Sequence, residues 1–126
     1  MSNTAGRKAQ EGQAIDVTVL AATTLMQGEF AVIDGFHGFN LGKPKVDTTV
    51  AETRPLTIAQ DVYETDQITT ADPFTVGQLV NFVTATKLFT TAAVAGGIVG
   101  PVGRVVIAKD GNNVIWMLQY PQRQQA

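Results

Sequence analysis

Apolar and polar positions alternate strictly over Ile15-Asp16-Val17-Thr18-Val19, which puts Ile15, Val17 and Val19 on one face and Asp16 and Thr18 on the other. A period of two predicts a half-buried strand. Residues 1–13 carry no large apolar side chain after Met1. Such a segment cannot bury enough surface to order itself, so it reads as a flexible arm ahead of one β domain over 14–126. Glu29-Phe30-Ala31-Val32-Ile33 predicts a second strand, entered after Gly28 and stopped by the turn pair Asp34-Gly35. Phe36, Phe39 and Leu41 then stand among Gly and Asn up to Gly42-Lys43-Pro44.

The middle of the chain is less regular. Val46 to Val50 predicts a short strand, and Leu56 and Ile58 begin another before Asp61. Ile58, Val62 and Thr65 also stand at near-helical spacing, so one short helix is the open alternative there. Phe74 to Val83 is β-rich, with Gly77 at a turn or bulge. Thr84-Ala85-Thr86 suits a hairpin loop leading into Lys87-Leu88-Phe89-Thr90, and Gly96 to Pro101 reads as a break.

The strongest pattern is at the end. Val105-Val106-Ile107-Ala108 and Val114-Ile115-Trp116-Met117-Leu118 flank Lys109-Asp110-Gly111-Asn112-Asn113, a hairpin with turn residues that tolerate positive φ. Both runs are almost continuously apolar. Either the domain covers both faces or another subunit covers one of them. Pro121 ends the ladder. Thr and Val dominate and turn signals recur, so the fold class is all-β: a small barrel or sandwich with at most one short helix.

Composition narrows the function. The 126 residues include no Cys and one His, with 16% charged residues and a net charge of −2. Globular chains average about 25% charged. A surface this neutral suits contact with another protein. The absence of Cys removes disulfides, thiolate metal sites and cysteine nucleophiles. The only serine is Ser2, in the arm, which disfavours a Ser-His-Asp hydrolase. The low net charge argues against duplex binding, so no nucleic-acid partner is expected. The longest uncharged stretch, Leu88 to Gly103, is broken by Gly and Pro and is too short to span a bilayer. The expectation is a soluble, non-secreted protein with no membrane partner.

Candidate chemistry is sparse. His37, in Gly35-Phe36-His37-Gly38-Phe39, has no second His or Cys to work with and reads as a loop histidine, solvated or hydrogen-bonded. The glycines from Gly96 to Gly103 lack the Lys-Ser/Thr of a phosphate loop and read as a turn-rich connection. Asp61, Glu64, Asp66 and Asp72 do not follow an EF-hand spacing and read as a solvated acidic segment. No metal, cofactor or catalytic residue is expected. Phe36 and Phe39 with Tyr63 would be the platform if the domain were a sugar-binding barrel. Trp116, with its strand neighbours, serves equally well as core or as subunit contact.

Several stretches resemble the capsid decoration, or cement, proteins of tailed bacteriophages. They are Gly77-Gln78-Leu79-Val80-Asn81-Phe82, Lys87-Leu88-Phe89-Thr90, Val102-Gly103-Arg104-Val105 and Val114-Ile115-Trp116-Met117-Leu118. Gly28-Glu29-Phe30-Ala31-Val32 and Asp34-Gly35-Phe36 fit that family's first hairpin. The resemblance covers 28–42 and 74–120, while 44–72 matches poorly and the acidic segment 61–72 within it departs from the pattern. It implies a β-barrel-like (β-tulip) fold, no catalysis, and a homotrimer on the outer capsid surface at local three-fold positions. The partners it implies are the major capsid protein and the chain itself. On that reading Thr4, Arg7, Lys8 and Gln10 of the arm touch the capsid, and Ile115, Trp116, Leu118 and Tyr120 touch a neighbouring subunit. A tail or baseplate adaptor is the alternative virion role, and a ligand-binding barrel the alternative of another class.

Overall fold

Nine strands form where apolar side chains recur at every second position, and a computed structural model describes them over residues 13–122. They are β1 (Ala14–Val19), β2 (Glu29–Ile33), β3 (Phe36–Asn40), β4 (Glu52–Thr57), β5 (Val62–Thr65), β6 (Leu79–Val83), β7 (Leu88–Thr90), β8 (Ile98–Ile107) and β9 (Ile115–Gln119). No helix occurs among the described residues. The strands make two antiparallel sheets, β1-β4-β3-β2 and β5-β9-β8-β6-β7. The domain is therefore all-β, as the sequence predicts, but it is not a closed barrel. The helix alternative over 58–65 falls to β5, because Tyr63 and Thr65 turn inward on a ladder with β9.

β1 has the faces that its alternation predicts, with Val17 and Val19 buried and Asp16 and Thr18 exposed. The β2–β3 hairpin turns at Asp34 (φ 55°) and Gly35 (φ 82°). Two successive positive φ values match the twist of a two-residue hairpin. At the other end of the chain, Asp110 Oδ1 accepts from the backbone N–H of Asn112 (2.8 Å) and Val114 (3.1 Å), which organises the β8–β9 turn.

Three local expectations are corrected. Val46 to Val50 is not a strand: only Lys45 bridges to Leu25 there, and the strand that pairs with β1 starts at Glu52. Gly100-Pro101 does not break the chain but lies inside β8, the longest strand. Proline is tolerated because the register shifts there: Val80 pairs with Gly103 and Phe82 with Val99, leaving Pro101 in a bulge without a ladder position to fill. His37 is not a loop histidine. It lies on β3, fully buried, with Nε2 3.0 Å from the Tyr120 carbonyl.

The main core lies between the sheets. Phe30 and Phe39 from one sheet meet Phe82 and Phe89 from the other, with ring centroids 4.7 Å apart for Phe30–Phe89 and 4.9 Å for Phe30–Phe82. These tilted and edge-on contacts are favourable arrangements for aromatic quadrupoles. A smaller cluster of Val17, Val19, Leu25 and Leu56 forms a second core on the four-stranded sheet, with Ile15, Ala31 and Ile33 packed against it.

Side-chain amides tie the layers together. Gln67 pairs with Phe30 on the outer edge of β2 as a strand would, accepting from its N–H (2.8 Å) and donating to its C=O (2.9 Å). Gln122 does the same for His37 on β3, accepting from its N–H at 2.7 Å and donating to its C=O at 2.5 Å. Gln119, at an inward position of β9, donates to the carbonyls of Thr57 (3.0 Å) and Ala59 (2.9 Å) across the sheet boundary. Backbone groups at these edges are thereby paired rather than left open.

Candidate interaction surface

The alternation of β9 decides what the five-stranded sheet shows to solvent. Ile115, Met117 and Gln119 point inward and are fully buried. Trp116 and Leu118 therefore point outward, and Tyr120 follows on the same side. Cross-strand register extends this face: Val62 lies opposite Leu118 and Glu64 opposite Trp116 on β5, while Arg104 lies opposite Leu118 and Ile107 opposite Trp116 on β8. Leu79 on β6 continues the row beyond Arg104.

This outer face is apolar for a surface. Trp116 is 42% exposed, Val62 48% and Ile107 45%. A large indole in water is costly at about 25 cal/mol per Å² of apolar area. Contiguous exposure of this kind marks contact surfaces in soluble proteins. The face also has a fixed polar feature. Arg104 donates from Nε to the Tyr120 hydroxyl (2.6 Å) and from Nη1 to the Gly77 carbonyl (2.6 Å), which holds the guanidinium over the sheet.

Of the four residues expected at a subunit contact, the structure brings Trp116, Leu118 and Tyr120 together on this face. Ile115 points the other way, into the core. The arm residues Thr4, Arg7, Lys8 and Gln10 lie outside the described residues. Phe39 does not offer a sugar platform, because it is buried and stacks on Tyr63 with centroids 4.4 Å apart inside the domain.

Other concavities carry little chemistry. A cavity of about 370 Å³ lies between the end of β1, the edge of β2 and the β6–β7 turn; Leu25, Phe30, Val32 and Phe82 are among its lining residues. On its rim, Asp34 is already engaged, its Oδ2 accepting from the Thr18 N–H at 3.0 Å. The acidic segment is dispersed: Glu64 stands on the outer face, while Asp72 Oδ2 accepts from Thr90 Oγ1 (2.5 Å) and the Thr91 N–H (3.1 Å). Among the described residues no three His, Asp or Glu side chains converge as a metal-ion cage.

The domain thus offers a surface, and its kinship says what kind. A family model described as phage cement protein matches residues 9–118. The chain belongs to the phage cement protein family. No curated protein and no solved structure gives a significant match. Cement proteins are structural components of the virion capsid, so this cement protein has a capsid cement, or decoration, role. The match includes the segment 44–72, which lies between the stretches that carry the resemblance in the sequence.

Sequence reasoning missed Lys45, Gln67 and Gln122, which leave no periodic signal. Gln119 stands two residues after Met117, and once pairing with β5 and β8 turns Met117 inward, Gln119 needs a buried partner.

Proposed function

We propose that this protein decorates the outer surface of the expanded capsid as a homotrimer at local three-fold positions, and stabilises the shell by binding the major capsid protein. The family match over residues 9–118 carries the reading. The exposed apolar face around Trp116 supports it, since a chain that works as a free monomer has no use for such a surface. Trp116, Leu118 and Tyr120 are assigned to the contact with a neighbouring subunit. Thr4, Arg7, Lys8 and Gln10 of the arm are assigned to the contact with the shell.

The mechanism is mass action. A ligand that binds only the expanded lattice stabilises that lattice by its binding free energy. Three linked copies multiply weak contacts, because the second and third engage at a high effective concentration. The test is co-sedimentation of the purified chain with undecorated capsids, expanded and unexpanded. Saturable binding to expanded shells alone is expected. Binding to neither form, or equally to both, refutes the reading. Deletion of residues 2–12 is expected to weaken binding without altering the fold, and unchanged binding refutes the role given to the arm.

A further inference from the structure

The outer face of the five-stranded sheet carries two opposite charges that the chain itself does not bring together. Glu64 on β5 lies beside Trp116, and Arg104 on β8 lies beside Leu118. Two strand spacings and a two-residue stagger separate them by roughly 12 Å. That is too far for an intrachain pair, and the ion pair found among the described residues is Arg54–Glu52. Arg104 is held in place by Tyr120 and Gly77, neither of which neutralises it. Glu64 is exposed, and its carboxylate has no hydrogen-bond or ion-pair partner among the described residues. Between the two charges stand Trp116 and Leu118 of β9.

We propose that a second copy of this chain docks on this face, with Glu64 of one copy against Arg104 of the next and Trp116 buried between them. The inference rests on the capsid-cement reading and names the register of its self-contact. The charges fit a copy of the same chain because each surface carries both halves of the pair. Their placement fits a head-to-tail contact: Glu64 is on the edge strand β5 and Arg104 two strands further in, so one copy's edge overlaps the next copy's face. Such contacts close into rings when the rotation permits. The aromatic anchor excludes water from the charge pair, which strengthens it and fixes the register.

The experiment is sedimentation velocity of the full chain over a concentration series, for wild type, Glu64→Arg, Arg104→Glu and the double swap. The wild type is expected to associate. Each single reversal is expected to weaken association by about tenfold or more, and the double swap to recover most of it. Arg104→Glu also loses its bonds to Tyr120 and Gly77, so far-ultraviolet circular dichroism and the melting temperature check the fold independently of the contact at Trp116. Glu64→Arg breaks no bond within the described chain and reads the contact even if the Arg104 variants unfold. A monomeric wild type at every concentration, or a folded Glu64→Arg that associates like wild type, overturns the inference. The same samples tested on expanded capsids separate the two ideas. Capsid binding by a monomeric wild type leaves the cement reading standing and this one overturned, whereas Glu64-dependent association without capsid binding does the reverse.

Discussion

Lys45 is fully buried, yet its ammonium meets no carboxylate. Nζ donates to the backbone carbonyls of Ala21 (3.1 Å), Thr23 (2.7 Å) and Asp47 (2.6 Å). The Lys45 backbone also exchanges both hydrogen bonds with Leu25, at 2.7 and 2.9 Å. One residue therefore fastens the β1–β2 connection to the β3–β4 connection. Lys45→Met keeps most of the stem volume and the backbone bridge but removes the three donors. Each charge-assisted bond is worth ~1.5–3 kcal/mol. Against that, the ammonium's burial costs several kcal/mol, which the variant recovers. Carbonyls left without donors add ~1 kcal/mol or more each. The net expectation is a loss of ~3 kcal/mol, because the orphaned carbonyls outweigh the relieved charge. At about 4 °C per kcal/mol for a domain of this size, the melting temperature falls by ~12 °C. Urea unfolding followed by Trp116 fluorescence measures the loss, and hydrogen exchange should show the opening confined first to 20–26 and 43–50. A Met variant as stable as wild type, or more so, refutes the reasoning: desolvation of the ammonium would then exceed what its three bonds return.

Three further outcomes follow from the packing and the electrostatics. Gln67→Leu leaves the N–H and C=O of Phe30 without their side-chain partner, so a loss of ~2 kcal/mol is expected; hydrogen exchange at the Phe30 amide should accelerate, and unchanged protection would contradict the clasp. Gly103→Ala places a Cβ 2.6 Å from the Leu118 carbonyl oxygen and against Met117 Cε, where the β8–β9 ladder cannot open without losing bonds. Overpacking of this kind costs ~1–3 kcal/mol, and a melting temperature equal to wild type would show that the strands yield. Burial, and then the charge of Asp61, raise the Tyr63 hydroxyl above its ordinary value of 10.0. Its folded-state pKa exceeds the unfolded one, so its contribution is fully present below about pH 10 and is lost as pH rises through the raised value. Tyr63→Phe should flatten the alkaline end of the stability profile while giving up the hydroxyl's bond to the Ala59 carbonyl (3.1 Å). A near-ultraviolet titration in which Tyr63 ionises at its ordinary value would contradict this.

Much of the architecture was legible in the chain. The alternation of Ile15 to Val19 gave β1 and its faces, Asp34-Gly35 the β2–β3 hairpin turn, and Lys109 to Asn113 the hairpin that exposes Trp116. These are local properties: a period of two and a positive φ are decided by neighbouring residues. The apolar continuity of β9 left open whether Trp116 or Ile115 faced outward, and pairing with β5 and β8 decided it. Gly100-Pro101 looks like a chain break because the compensating bulge depends on β6, about twenty residues earlier in the chain. His37 reads as a loop histidine and Lys45, Gln67 and Gln122 carry no signal in the sequence, yet each bonds backbone groups from a segment far away in sequence or across a connection. The sequence alone determined most of the strands, though not the extent of β8 or the start of β4, and which side of several of them would be apolar. Tertiary structure decided which edges meet, and hence which polar side chains are buried to complete them. The reason is that an unpaired backbone group creates its demand for a partner only once the sheets have been brought together.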